Sequence, residues 1–338
     1  MKNLNIVILA AGKGERMLSR KPKVMHEIMG KPMISYAVER AQELSPHKIV
    51  VVVGYGKEAV QAYLKNHDVE FSVQTTQGGT AHAVLTAERL IKGRDILILY
   101  GDVPLMTANT LKKFFELYQK TGQITFITTD VDNPKGYGRV IMKGKEIKRI
   151  VEEIEATEEE KKIRRINTGI CIIPWQHFSL LKTITPDNRK GEYYLTDICS
   201  IAHSRKIPIR AYHYPEASEV LGINTRKELL DANIHMKNRI LDRHMENGVT
   251  LLDRSIYIEP TVQIGRDTTI SSQTFLMGKT IIGENVQIGP NTVIKDSLVH
   301  SNVTIEGFVV IEGIEVKEGA RVGFFEWKKT LHHKNRKR

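Results

Sequence analysis

The chain has 338 residues, 41% of them hydrophobic and 26% charged, which is enough for two domains that each bury a core. No apolar run approaches the roughly 20 residues of a membrane span. The apolar patch behind Lys2 is cut short by Gly12 and Lys13 with no cleavage site after it, so no leader is expected and the location read from the sequence is cytoplasmic. The net charge of +11 comes from basic residues mostly interleaved with acids. The one single-sign run is the terminal "KKTLHHKNRKR", and no nucleic-acid signature accompanies it. Neither a nucleic-acid nor a membrane partner is expected. Cys171 and Cys199 are too few for a disulfide framework or a metal cluster and are expected as buried thiols.

From residue 1 to 225, short Val/Ile/Leu runs such as "NIVILAAG", "KIVVVVGYG" and "DILILYGDVPL" end in glycine or a turn. Between them lie segments with apolar residues three and four apart, such as "PMISYAVERAQEL" and "GTAHAVLTAERLI". Continuous apolar strands alternating with helices predict an α/β, Rossmann-like domain with a mostly parallel sheet covered on both faces. Ligands of such sheets sit beyond the carboxyl ends of the strands. Residues 226–248 read as a connecting helix that stops at Gly248.

From Ile258 the period changes. Ile258, Ile264, Ile270, Leu276, Ile282, Ile288 and Ile294 stand six apart, and Val262, Thr268, Thr274, Thr280, Val286, Thr292 and Leu298 follow each by four. A step of five leads to Val299, after which Ile305 and Ile311 restore the spacing. This hexapeptide period predicts a left-handed parallel β-helix over residues 249–327, its aliphatic residues pointing into a triangular prism. Residues 328–338 form the basic tail.

The first strand runs into Gly12-Lys13-Gly14, with Arg16 and Lys23 behind it. This is neither a Walker loop nor a dinucleotide fingerprint, since no Lys-Ser/Thr pair follows and the third glycine is missing. Two glycines let backbone amides approach a phosphate chain, and Arg16 and Lys23 bring bidentate and point positive charge. At a second strand end Asp102 either closes a turn or binds a cation. Asn224 stands where it could cap the helix that follows. His26 is expected to be structural, and Tyr193 and Tyr194 suit a core as well as a site.

The segments "LAAGKGERM…KPKVMHEIMGKPM", "QTTQGGTAHAV", "YGDVPL", "GYGRV", "INTGI", "GEYYLTDI" and "LGINTR", in that order, resemble the bacterial N-acetylglucosamine-1-phosphate uridyltransferases. The resemblance extends over residues 3–327. It implies transfer of UMP from UTP to N-acetylglucosamine 1-phosphate with Mg²⁺ as cofactor, in a homotrimer assembled through the β-helix. It also assigns roles. Arg16 and Lys23 are catalytic; Leu9, Ala10, Ala11, Gly12, Gly14, Gln74, Gly79 and Thr80 bind the nucleotide. Gly101, Gly138, Glu152, Asn167 and Thr168 bind the sugar phosphate, and Asp102 and Asn224 hold the metal.

The chain departs from that family at three places. Glu152 is followed by Glu153-Ile154-Glu155-Ala156 where a Lys-Asp pair is usual, which bears on sugar selectivity, and Ala81 stands where a glycine is common. The later coils that carry the family's acetyl-transfer site have no counterpart, so a monofunctional chain is expected. Two rival readings follow: a nucleotidyltransferase for a different sugar 1-phosphate or dTTP, and a non-catalytic scaffold of the same plan.

Overall fold

The computed structural model describes residues 1–329, so most of the basic tail lies outside the described residues. The chain forms two compact units, Met1–Ala232 and Asn233–Arg338. The helix Arg226–Glu246 carries the chain from the first to the second.

The first unit is built on a nine-stranded sheet. Glu70–Val73, Lys48–Val53, Leu4–Ala10 and Asp95–Tyr100 lie side by side in parallel at one edge. Arg165–Ile173 then inserts antiparallel between Asp95–Tyr100 and Ile124–Asp130. Ile209–His213 lies parallel to Ile124–Asp130, and the hairpin Arg139–Lys143/Glu146–Val151 completes the sheet. The central strands are apolar at every position because successive side chains enter different cores. Val7, Val50, Ile96 and Ile98 pack on one face, and Ile6, Ile8, Val51, Leu97 and Leu99 on the other. Cys171 and Cys199 are buried thiols, as expected, and burial pushes both well above the usual thiol range.

The second unit is a left-handed parallel β-helix of hexapeptide repeats. Its three faces are parallel sheets of two- and three-residue strands. Ile258, Ile270, Leu276, Ile282, Ile288 and Ile294 fill the prism, and Thr268, Thr274, Thr280 and Thr292 are fully buried at its corners. The Thr268 hydroxyl donates to the Gly283 carbonyl of the next coil at 2.9 Å, so a polar corner is satisfied within the stack. The array begins at Thr250–Leu251, paired to Thr269–Ile270, ahead of the regular six-residue spacing that starts at Ile258.

The five-residue step is a shortened corner. In the coil before it Met277, Gly278, Lys279 and Thr280 make the full turn; here Lys295, Asp296 and Ser297 make it, and Ile281 pairs with Leu298, 17 residues on rather than the 18 that separate Gln263 from Ile281. Ser297 is buried at the corner and Leu298 faces outward, which corrects the expectation for Leu298. A second shortening, not legible in the spacing up to Ile311, sets Leu298 against Glu315. Asp296 turns with φ +47° and its carboxylate accepts from the Lys279 amide of the coil before, at 2.9 Å. A Cβ on Gly278 would lie 2.1 Å from that carboxylate.

Candidate active site

Four neighbouring parallel strands end at one place, and the chain leaving three of them contributes to a cleft of about 380 Å³. Leu9, Ala10, Ala11 and Gly12 line it from the first strand, Gln74, Gly79 and Thr80 from the edge strand, and Asp102 from the strand between Leu4–Ala10 and the antiparallel insertion. Lys23, Thr168 and Asn224 complete the expected residues that line it. The floor is held by main chain: Gly101 donates its amide to the Leu9 carbonyl at 2.9 Å and Gln74 to Val53 at 2.8 Å.

The charged centre is a triad of side chains. The Lys23 ammonium contacts Asp102 Oδ2 and lies 2.9 Å from Asn224 Oδ1. Asn224 is free for this because Thr225 takes the capping role. Thr225 Oγ1 accepts from the Glu228 amide at 3.2 Å, while the Glu228 carboxylate accepts from the amides of Asn224 and Thr225 at 2.6 and 2.9 Å. The Asn224 amide nitrogen meanwhile donates to Gly222 at 3.1 Å, which turns its oxygen toward Lys23.

Several expected residues act one step behind the cleft rather than in its wall. Gly14 has φ +68°, and a Cβ there would lie 2.5 Å from the Lys23 Cβ, so this glycine lets the lysine stem pass. Gly101 faces Ile34 and Val24 in the core, 2.7 and 3.1 Å from where a Cβ would be. Arg16 is exposed, its guanidinium close to Gly136. Asn167 accepts from the Gly169 amide at 3.1 Å, inside the bulge between Asn167 and Cys171. Gly138 packs against Ile150 and Glu152, and its carbonyl accepts from the Asn167 amide at 2.9 Å. Glu152 accepts from the Thr196 hydroxyl at 3.0 Å, and burial pushes its carboxyl above the usual range against that hydrogen bond.

The cleft also contains residues that sequence reasoning missed, among them Tyr100, Tyr137, Gln77 and Glu192. Tyr100 lies over Gly169, where a Cβ would stand 2.6 Å from the ring, and burial, with Cys171, Glu152 and Asp102 nearby, keeps its phenol protonated. Burial, then Glu228, push Tyr137 up to about 12 against the nearby Arg16. Tyr100 directly precedes the quoted "GD" pair and Tyr137 sits inside "GYGRV", so each adjoined a motif without being singled out. His26 is buried beside Arg226, and Tyr194 is buried as well. Tyr193 instead supports the glycine pair at the cleft's edge.

The acidic segment has its own partners. Glu153 accepts from the Gly136 amide at 3.1 Å and pairs with the buried Arg139 at 2.7 Å, while Glu155 accepts from the Arg189 amide at 3.0 Å. The cations beside this segment are therefore the buried Arg139 and, at 3.8 Å from Glu155, Arg189, with none at position 154.

A phosphate-sized floor at parallel strand ends, a lysine and a carboxylate–amide pair describe a nucleotidyltransferase class, and residues 6–172 match the MobA-like NTP transferase domain. Residues 261–296 match the bacterial transferase hexapeptide repeat. The chain is a homologue of the bifunctional GlmU proteins. It is 43% identical to that of Caldanaerobacter subterraneus subsp. tengcongensis over 82% of this chain and 61% of the relative, and 42% identical to that of Thermotoga petrophila over 81% and 60%. The chain thus spans about three-fifths of the length of these relatives. Among solved structures it is similar in fold to UDP-glucose pyrophosphorylase complexed with UDP-glucose. That match has a TM-score of 0.56 and 24% identity, and covers 71% of this chain and all of the other.

Proposed function

We propose that the chain transfers UMP from UTP to N-acetylglucosamine 1-phosphate, releasing pyrophosphate. The observation that carries this reading is the convergence of Lys23, Asp102 and Asn224 beside the Ala11–Gly12 turn, at the carboxyl ends of adjacent strands. In the reaction a sugar-phosphate oxygen attacks the α-phosphorus in line, and the bond to pyrophosphate breaks. No covalent enzyme intermediate is required, and both cysteines are buried in the core. The residues act by positioning and charge. Lys23 sits at the junction of both subsites and neutralises phosphate charge, while Arg16, exposed beside Gly136 outside the cleft wall, adds positive charge nearby. The Gly12 amide stands beside open space, since nothing lies within 4 Å of its Cβ position, which suits close approach of a phosphate. Gln74, Gly79 and Thr80 face the base, while Thr168, with Asn167, Gly138, Glu152 and Gly101 behind it, frames the sugar.

The donor set fits magnesium. A carboxylate oxygen and an amide oxygen already converge on one cationic group, Lys23 Nζ. Among the described residues no cluster of three or more His, Cys, Asp or Glu could hold a metal, and a two-oxygen protein set suits an ion that keeps waters and substrate phosphates as its other ligands. Asp102 and Asn224 are the residues that hold it in this proposal; when bound, it adds positive charge against the phosphates.

Assembly as a homotrimer is part of the proposal. One face of the β-helix aligns Tyr257, Phe275, Val293, Val310 and Trp327 as outward rungs of one ladder, and Ile281 and Leu298 stand out from the adjacent face. Apolar rows of this kind on a prism favour contact with other copies. The cytoplasmic location is also proposed; no helix among the described residues is long and apolar enough to cross a membrane.

A different sugar 1-phosphate is the second reading, favoured by Ile154, exposed in a segment whose cations are Arg139 and Arg189. The test is pyrophosphate release from UTP and Mg²⁺ with N-acetylglucosamine 1-phosphate, glucosamine 1-phosphate and glucose 1-phosphate in parallel. Release with the acetylated sugar at more than about tenfold the rate of the others is expected. Preference for glucose 1-phosphate establishes the second reading, and no release with any of them overturns the proposed transfer of UMP to these sugars.

A further inference from the structure

We infer that His82 is a positioning residue that fixes which end of the Gln74 amide faces the base, and so sets discrimination between uracil and cytosine. The inference rests on the proposed reading of Gln74 as a base contact. Gln74 is buried at the end of its strand and lines the cleft. Its amide nitrogen donates to the Gly79 carbonyl at 3.0 Å and lies 3.1 Å from His82 Nδ1. An amide nitrogen has two hydrogens, so both are committed to the protein when His82 Nδ1 is a lone-pair acceptor and its proton is on Nε2. The group left facing the cleft is then the Gln74 carbonyl oxygen.

A lone carbonyl acceptor selects its base by simple complementarity. Uracil carries N–H at ring position 3 and donates to it. Cytosine carries a lone pair at the same position, and two facing acceptors repel. Were the amide turned over, its NH₂ would suit cytosine instead. The orientation of one side chain thus decides the preference, and the Gly79 carbonyl and His82 together hold it.

The surrounding sequence makes room for this imidazole. A Cβ on Gly78 would stand 2.9 Å from His82 Nδ1, so the ring fits beside glycine. The Tyr193 ring lies 6.4 Å away, tilted by 40°. Tyr193 is itself clamped: its amide donates to Gly78 O at 2.8 Å, and its carbonyl accepts from Ala81 at 2.9 Å. Gly79, at φ +99°, would place a Cβ 2.6 Å from that carbonyl. The "GGTAH" and "EYY" segments are therefore one device, in which two glycines let a tyrosine and a histidine close on the glutamine.

The test measures the ratio of kcat/KM for UTP to that for CTP in the full chain and in His82→Leu, His82→Asn and Gln74→Leu. Leucine removes the acceptor; asparagine restores an oxygen where Nδ1 stood. The expected result is a uracil preference that falls by about tenfold in His82→Leu, mainly through KM, and stays within about threefold of the parent in His82→Asn. Equal losses on UTP and CTP in His82→Leu, leaving the ratio intact, overturn the inference and make His82 merely structural. If His82→Leu fails to fold, His82→Asn beside His82→Ala decides on the same ratio. A Gln74→Leu variant that keeps the full preference overturns the base-contact reading itself, whereas a preference lost with Gln74→Leu but kept with His82→Leu removes only the role of His82.

Discussion

Lys23 is held by two oxygens, Asp102 Oδ2 and Asn224 Oδ1, in a partly buried position where a misplaced charge has no solvent to correct it. Truncating either charged partner leaves the other uncompensated. Asp102→Asn is expected to lower Mg²⁺-dependent pyrophosphate release by about 10²-fold or more, and full retention of activity removes Asp102 from the metal site. Gly79 belongs to the same scale. Gly79→Ala forces a Cβ into the Tyr193 backbone at a positive φ, and a loss of roughly 1–3 kcal/mol of stability is expected, read from the midpoint of urea unfolding. Glu152 carries a pH signature. Its native carboxyl is held above the usual value of 4.5 by burial, so above that value the folded state keeps a proton that the unfolded chain has lost. Stability from this group is therefore full below pH 4.5 and declines as pH rises through the native pKa. Glu152→Gln lacks this decline, and its stability relative to the parent should rise as pH increases above 4.5.

At the level of elements, the helix Arg226–Glu246 opens with the Thr225/Glu228 box and carries His244 near its end. His244 is buried, its Nε2 has no hydrogen-bond partner among the described residues, and burial, then Arg243, lower its pKa to about 4. The unfolded chain binds a proton here below 6.5, so stability is intact above that value and falls as pH drops toward 4. The full loss is on the order of 3 kcal/mol, and His244→Phe should flatten stability against pH across that window in chemical unfolding. The elements were the most legible part of the chain. The Val50–Val53 run, buried on both faces, and the six-residue spacing from Ile258 each record a burial pattern that repeats along the sequence. Asp102 and Lys23 were legible as charges at strand ends. Tyr100 and Tyr137 were not, because what brings them to the cleft is a fold between distant segments. That the side of Gly14 faces the Lys23 stem and that of Gly101 faces Ile34 was not legible either, because a glycine's sequence neighbourhood does not say what occupies the space beside it. Leu298 was misplaced at a corner because one missing residue hands the corner to Ser297.

For the whole molecule, the aligned outward row of the β-helix predicts association. Phe275→Asp should shift the chain from the proposed trimer to monomer in sedimentation while pyrophosphate release per chain stays within about twofold, since Phe275 lies outside the residues lining the cleft. A trimer that survives this change places the contact on another face. The shortened corner at Asp296 has a different consequence. Each strand of the prism meets its partner one full circuit away, so the array has something like a reading frame. A whole circuit added or removed leaves every later pairing in phase, and a single residue gained inside a face puts all of them out. At the corner between Lys295 and Leu298 the circuit drops from 18 to 17 residues, and does so without losing a pairing. Asp296 bridges back to the Lys279 amide across the change in length. That edge of the prism is where this chain can absorb a frameshift, and small insertions and deletions compatible with folding should collect there rather than at the corners built on Thr268 and Thr274.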